Sequence, residues 1–101
     1  MKLIFTPRAE RDLANQLEFG ERRFGREVAR QTLERVRAFL KQTLVKYPKT
    51  GFYHPAIQSF ETWIPGTPFI IFYRIDETDD AIKVLALYHH AQNRETFEPE
   101  R

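Results

Sequence analysis

Arg74, Tyr88, His89 and His90 are the side chains of this sequence that could act on a phosphate. His and Tyr can serve as general acid or base, and Arg can hold the charge of a scissile phosphate, provided all of them converge on one phosphorus. Their positions tell against convergence. Arg74 falls near the end of one β-like run, Phe69 to Ile75, and the histidines end a later one. If the two runs pair antiparallel, Arg74 lies opposite Ile82 to Val84, well away from His89 and His90. The plainer alternative pairs Arg74 with Glu61 or with an aspartate of the 76–80 stretch, and leaves the histidines on the surface. Other chemistry finds few residues to use. The four glycines stand alone at 20, 25, 51 and 66, so there is no phosphate-cradling loop, and cysteine is absent. With only His54, His89 and His90, and no helical pair at i, i+4, neither a metal nor a cofactor is expected.

The elements that must position these residues are short and well punctuated. Ser59 to Ile64, Phe69 to Ile75 and Ala81 to His90 are rich in β-branched and aromatic residues, and Pro65-Gly66-Thr67-Pro68 and Asp76 to Asp80 separate them. They predict a three-stranded antiparallel meander. The middle run is apolar on both alternating sets, so it belongs inside the sheet with cover above and below. Before it, Lys2 to Phe5 reads as a strand, and Thr6-Pro7 as a helix start. Ala9, Leu13 and Leu17 form the stripe of a first helix running to about Arg23. Ala29, Leu33, Val36, Leu40, Leu44 and Tyr47 form that of a second, from about Arg26 to Tyr47. The Phe24-Gly25 step joins them as an antiparallel hairpin. Residues 52–58 read as a connecting loop.

The fold class is therefore α+β: an N-terminal strand, a two-helix hairpin, then the meander in one sheet. At 101 residues, with 42% hydrophobic residues, the chain is expected to form a single domain, its tail after about residue 92 loose. One helical hairpin covers one face of a sheet. The other face is expected to leave Trp63 or Phe60, with Phe72 or Tyr73, toward solvent, as a patch that needs a partner unless loop 52–58 and the tail cover it. Charge is lopsided: residues 1–50 carry 12 Lys/Arg against 6 Asp/Glu, and residues 51–101 carry 4 against 8. A basic hairpin favours an anionic partner, either nucleic acid or an acidic protein segment. No apolar run approaches the ~20 residues of a membrane span, and no signal peptide is evident, so a cytoplasmic protein is expected.

Phe5-Thr6-Pro7 with Ala9, Asp12 and Leu13, then Arg23-Phe24-Gly25, Tyr47-Pro48 with Gly51, the run Thr67 to Ile75, and Val84-Leu85 leading to Tyr88-His89 form an ordered set. With that set the chain resembles the RelE/ParE superfamily of bacterial toxins from type II toxin–antitoxin modules, the ParE branch more than the RelE branch. A ParE-like resemblance implies inhibition of DNA gyrase, no catalytic residues, and neutralisation by a cognate antitoxin. It also implies no sequence-specific DNA contact by the toxin itself. The antitoxin segment is expected along Arg23, Arg26, Arg30, Arg37 and Lys41, and against Trp63 and Phe72. A RelE-like resemblance implies instead a ribosome-dependent mRNA endonuclease using Arg74, Tyr88, His89 and His90. The position that often carries a RelE-type arginine falls in the apolar Phe69-Ile70-Ile71-Phe72, and the acidic second half suits RNA binding poorly. A third possibility is a non-toxic binding module of the same fold.

Overall fold

A computed structural model describes residues 1–92 and Phe97. Strand β1, Lys2–Phe5, leads into helix α1, Pro7–Phe24. The Thr6 hydroxyl accepts the Ala9 amide at 3.1 Å and donates to the Leu85 carbonyl at 3.1 Å, so one residue caps the helix and ties it to the sheet. The helix passes through Gly20 and ends where Gly25 adopts φ +94°, which favours glycine. Helix α2, Arg26–Ala38, follows at once and packs against α1.

The predicted second helix continues past Ala38 with altered geometry. Phe39–Leu44 is π-helical, and the Val45 amide donates to the Leu40 carbonyl five residues back. The stripe stays buried through Val36, Leu40 and Leu44. The wider turn then moves later residues off it, and Tyr47 is 66% exposed rather than the last member of the stripe.

Residues 52–58 are not simply a loop. Phe52–His54 forms a strand, β2, Pro55–Ile57 a 3-10 turn, and Gln58 a left-handed residue at φ 51° that turns the chain into β3, Ser59–Trp63. Three residues are too few for an alternating pattern to show. Their ladder with β3, Phe52↔Glu61 to His54↔Ser59, makes them a strand. With β4, Phe69–Asp76, and β5, Ala81–His89, the sheet has the order β1-β5-β4-β3-β2. β1 runs parallel to β5 and the other pairs are antiparallel, so the meander is as expected and β4 lies at its centre. A bulge at Phe72/Tyr73 shifts the β4–β5 register.

The hairpin covers one face, where Val36, Leu40 and Leu44 meet Ile71, Tyr73, Ile82 and Val84. Tyr73 is fully buried there and stacks on Phe60 at 5.2 Å. Its hydroxyl donates to the Pro48 carbonyl at 2.7 Å and accepts the Gly51 amide at 3.1 Å. Gly51 has no room for a side chain, since a Cβ would sit 2.7 Å from the Glu61 carbonyl oxygen.

The outer face corrects an expectation. Phe72 is 2% exposed, not solvent-facing, because Phe97 stacks on it at 4.3 Å with Ile57 and Tyr88 beside them. The loop after β2 and one residue of the tail therefore give this face part of its cover. The looseness expected after residue 92 otherwise lies outside the described residues. Trp63 does stay open, 56% exposed.

Candidate functional site

The phosphate-chemistry candidates are dispersed. Register pairs Arg74 with Lys83 and Phe69 with His89, so five residues of β4, about 17 Å at ~3.3 Å each, separate Arg74 from the histidine end. Among the described residues Arg74 pairs with no carboxylate, contrary to the plainer expectation. Its Nε donates to the Gln58 carbonyl and its Nη2 to the Ile57 carbonyl, both at 3.0 Å, and Nη2 lies 3.4 Å from the Ser59 hydroxyl. The left-handed turn at Gln58 aims these carbonyls at the guanidinium, so Arg74 braces the turn. Glu61 lies beside His54 instead, Oε1 to Nε2 2.9 Å. The Asp76–Asp80 turn takes Lys83, whose Nζ is 2.9 Å from Asp76 and 3.7 Å from Asp79. The Lys83 ammonium holds the Asp76 carboxyl below its usual range, and Asp76 in turn raises Lys83.

The last strand divides its polar end. Tyr88 points to the outer face, where Arg8 Nη2 donates to its hydroxyl. His89 borders the hairpin side, where it lines an apolar hollow of ≈170 Å³ with Leu17, Phe24, Val28 and Phe69. The Ala91 amide donates to His89 Nδ1 at 3.2 Å, and the His89 and His90 rings stack at 4.6 Å. His90 also stacks on Trp63 at 5.8 Å. The structure thus brings His89 and His90 together and leaves Arg74 apart from both.

Two surfaces remain. On the outer face, Phe52, Glu61, Thr62, Trp63 and Ile70 line a concavity of ≈300 Å³, with Phe52 70% exposed at its edge. At the other end of the sheet, Leu3 and Phe5 of β1 and Leu13, Leu33, Val36 and Leu40 of the helices line a groove of ≈260 Å³ bordered by Arg37 and Lys41. These two cations have no carboxylate partner among the described residues. The other hairpin cations differ. Arg30 is held by Glu27 and Glu34, which raises the guanidinium and lowers the Glu27 carboxyl. Arg26 lies 3.5 Å from Glu21, and Arg23 sits over the Phe24 ring at 5.7 Å. The five expected contact residues therefore form no uniform positive face, because acids of the hairpin itself answer two of them, Arg30 within α2 and Arg26 across the corner from α1.

Sequence reasoning gave no role to Arg8, Asp12 or His54. The Asp12 carboxylate accepts the Leu87 amide at 3.0 Å and lies 3.5 Å from Arg8, joining α1 to β5 beyond the end of β1. The signal was the i, i+4 spacing of Arg8 and Asp12 beside the apolar stripe. Among the described residues no group of three or more His, Cys, Asp or Glu could hold a metal, and no helix is long and apolar enough to cross a membrane.

A chain of the chromosomal ParDE toxin–antitoxin system from P. aeruginosa shares this fold, with TM-score 0.73 and 20% identity over 88% of this chain and 95% of that one. A chain of the RelBE2 toxin–antitoxin complex from Mycobacterium tuberculosis matches with TM-score 0.57 and 19% identity, over 87% and 95%. No curated protein matches by sequence. The family profile described as the ParE toxin of the type II toxin–antitoxin system parDE matches residues 3–94. Nearly the whole chain is matched, over β1, the hairpin and all of the meander, and the chain belongs to the ParE toxin family of type II toxin–antitoxin systems.

Proposed function

We propose that this toxin inhibits DNA gyrase without catalytic residues of its own, and that a cognate antitoxin neutralises it. The observation that carries the choice of target is the dispersal of the polar groups. Arg74 is committed to the Ile57–Gln58 turn, about 17 Å along β4 from the level of His89, and Tyr88 is committed to Arg8. In-line attack on a phosphate needs an acid, a base and a charge clamp around one phosphorus. For the antitoxin, the β1–hairpin groove has an apolar floor and, at its border, Arg37 and Lys41, which no carboxylate among the described residues pairs; this suits an amphipathic acidic segment. The two solved neighbours described above come from toxin–antitoxin systems.

One observation favours a second reading, ribosome-dependent mRNA cleavage. His54 and Glu61 form a base–orienter pair on the outer face, the face that also carries Arg74. The groups lean apart, however: His54 toward Phe52 and Phe72, Arg74 toward the Gln58 turn. The test is direct. Purified toxin added to gyrase is expected to abolish supercoiling and accumulate cleaved DNA. Unimpaired supercoiling, with ribosome-bound mRNA cut at the A site, overturns the proposal.

A further inference from the structure

Phe72 sits at the centre of the sheet on the face that the helices do not reach, and what covers it is unusual. Tyr88 meets it edge-on at 5.9 Å, and Ile57 packs beside it. The Arg8 guanidinium donates to the Tyr88 hydroxyl and lies over the Tyr88 ring at 5.3 Å. Arg8 is itself set by Asp12, which the Leu87 amide holds. A slot with an aromatic floor, an aromatic wall and a cationic wall is thus assembled entirely by α1, β4, β5 and the turn after β2. Phe97 fills it, 5% exposed, with its ring 4.3 Å from Phe72, 6.1 Å from Tyr88 and 5.1 Å from the Arg8 guanidinium carbon. Cation–π and stacked contacts of this kind favour an aromatic ring over an aliphatic side chain of similar size.

Phe97 is also the one large apolar residue of its stretch. Gln92 to Thr96 precede it and Glu98-Pro99-Glu100-Arg101 follow, all polar except the proline. The hairpin-side core of Ala9, Val36, Leu40, Leu44, Ile71 and Tyr73 does not include it, nor does the β4–β5 ladder. The Phe97 ring can therefore leave its contacts without breaking a strand pair or opening that core.

We propose that the Arg8–Phe72–Tyr88 slot is a recognition site for one aromatic side chain, that its occupant is the chain's own Phe97, and that the contact is a releasable latch. Release adds the rings of Phe72 and Tyr88 to those of Trp63 and Phe52, which the same face already exposes. Any segment competing for the closed half of this face must present a ring of its own. The latch stands whichever target the toxin has.

The probe is a fluorescein-labelled peptide with the sequence of residues 93–101, added to the full-length chain and read by anisotropy. Phe97→Ala protein, its slot empty, is expected to bind the peptide at least tenfold more tightly than wild type, whose slot is filled. A peptide with alanine in place of phenylalanine is expected not to bind, and Arg8→Ala in the Phe97→Ala background is expected to weaken binding several-fold. A folded Phe97→Ala protein that binds no better than wild type overturns the proposal. The wild-type chain provides a check that needs no variant: hydroxyl-radical oxidation of the buried Phe97 ring, located by mass, across a urea series. Oxidation through a latch opening is nearly independent of urea below the unfolding transition. Oxidation that follows global unfolding throughout makes Phe97 an ordinary core residue and equally overturns the proposal.

Discussion

Replacing Tyr73 by phenylalanine isolates a single oxygen at the junction of the hairpin and the sheet. The ring is expected to stay where it is, fully buried and stacked on Phe60. Lost are the 2.7 Å bond to the Pro48 carbonyl and the 3.1 Å bond from the Gly51 amide. Burial raises the Tyr73 phenol, so throughout the neutral range it is the protonated donor that is being removed. Leaving a buried polar group unsatisfied costs about 1–3 kcal/mol. Two groups are orphaned, but both are only half buried and part of the penalty is relieved by solvent, so the expected loss is about 2 kcal/mol. For a domain near 100 residues that corresponds to a fall in melting temperature of about 8–16 °C. Thermal unfolding followed by circular dichroism at pH 7 measures it. Gly51 leads directly into β2, so amide exchange at Phe52–His54 should also quicken more than exchange in β5. A fall below about 2 °C, with β2 exchange unchanged, would refute the idea that this hydroxyl anchors the β2 edge.

The groove bordered by Arg37 and Lys41 predicts a charge asymmetry along the hairpin. Arg37→Glu with Lys41→Glu should weaken binding of the cognate antitoxin by about 2 kcal/mol, roughly 30-fold, and more at low salt. Arg30→Glu should change it less than about threefold, because Glu27 and Glu34 already hold that guanidinium. Titration calorimetry at two salt concentrations separates these cases, and a larger effect at Arg30 would sink the groove assignment. The Asp76–Lys83 pair predicts a pH dependence of opposite sign at the two ends of the scale. Asp76 is lowered by folding, so its contribution is present above the ordinary aspartate range and lost as pH falls below it. Lys83 is raised, so its contribution is complete below the ordinary lysine value and lost as pH rises beyond it. Melting temperatures of wild type and Lys83→Ala should therefore differ near neutrality and converge at both extremes. A constant gap would show that the pair does not couple to folding.

Much of the architecture could be read directly from residue pattern. The Thr6-Pro7 start, the Gly25 corner and the three runs of the meander are local signals, each written in a few consecutive residues. The separation of Arg74 from His89 also followed from strand direction alone. By contrast, β2 is three residues long and is a strand only because β3 offers it a ladder. The π-helical segment departs from a periodicity that a stripe of six apolar residues does not betray.

Charge was the least legible property. Five cations of the hairpin were expected to face the antitoxin, but whether a cation is available depends on rotamers and neighbours, and Glu27, Glu34 and Glu21 answer Arg30 and Arg26. The fate of the outer face was equally hidden. Composition shows that a sheet this apolar needs a second cover, since two helices reach only one side. It does not show that Phe97 supplies part of it, because the contact joins residues 25 apart in sequence and depends on Arg8, 89 residues away, being aimed by Asp12. Sequence by itself determined the longer elements, their order and the family resemblance, all carried by local pattern. The tertiary structure alone decided which charges are spent and which apolar surface stays open, because both are set by the geometry of residues distant in the chain.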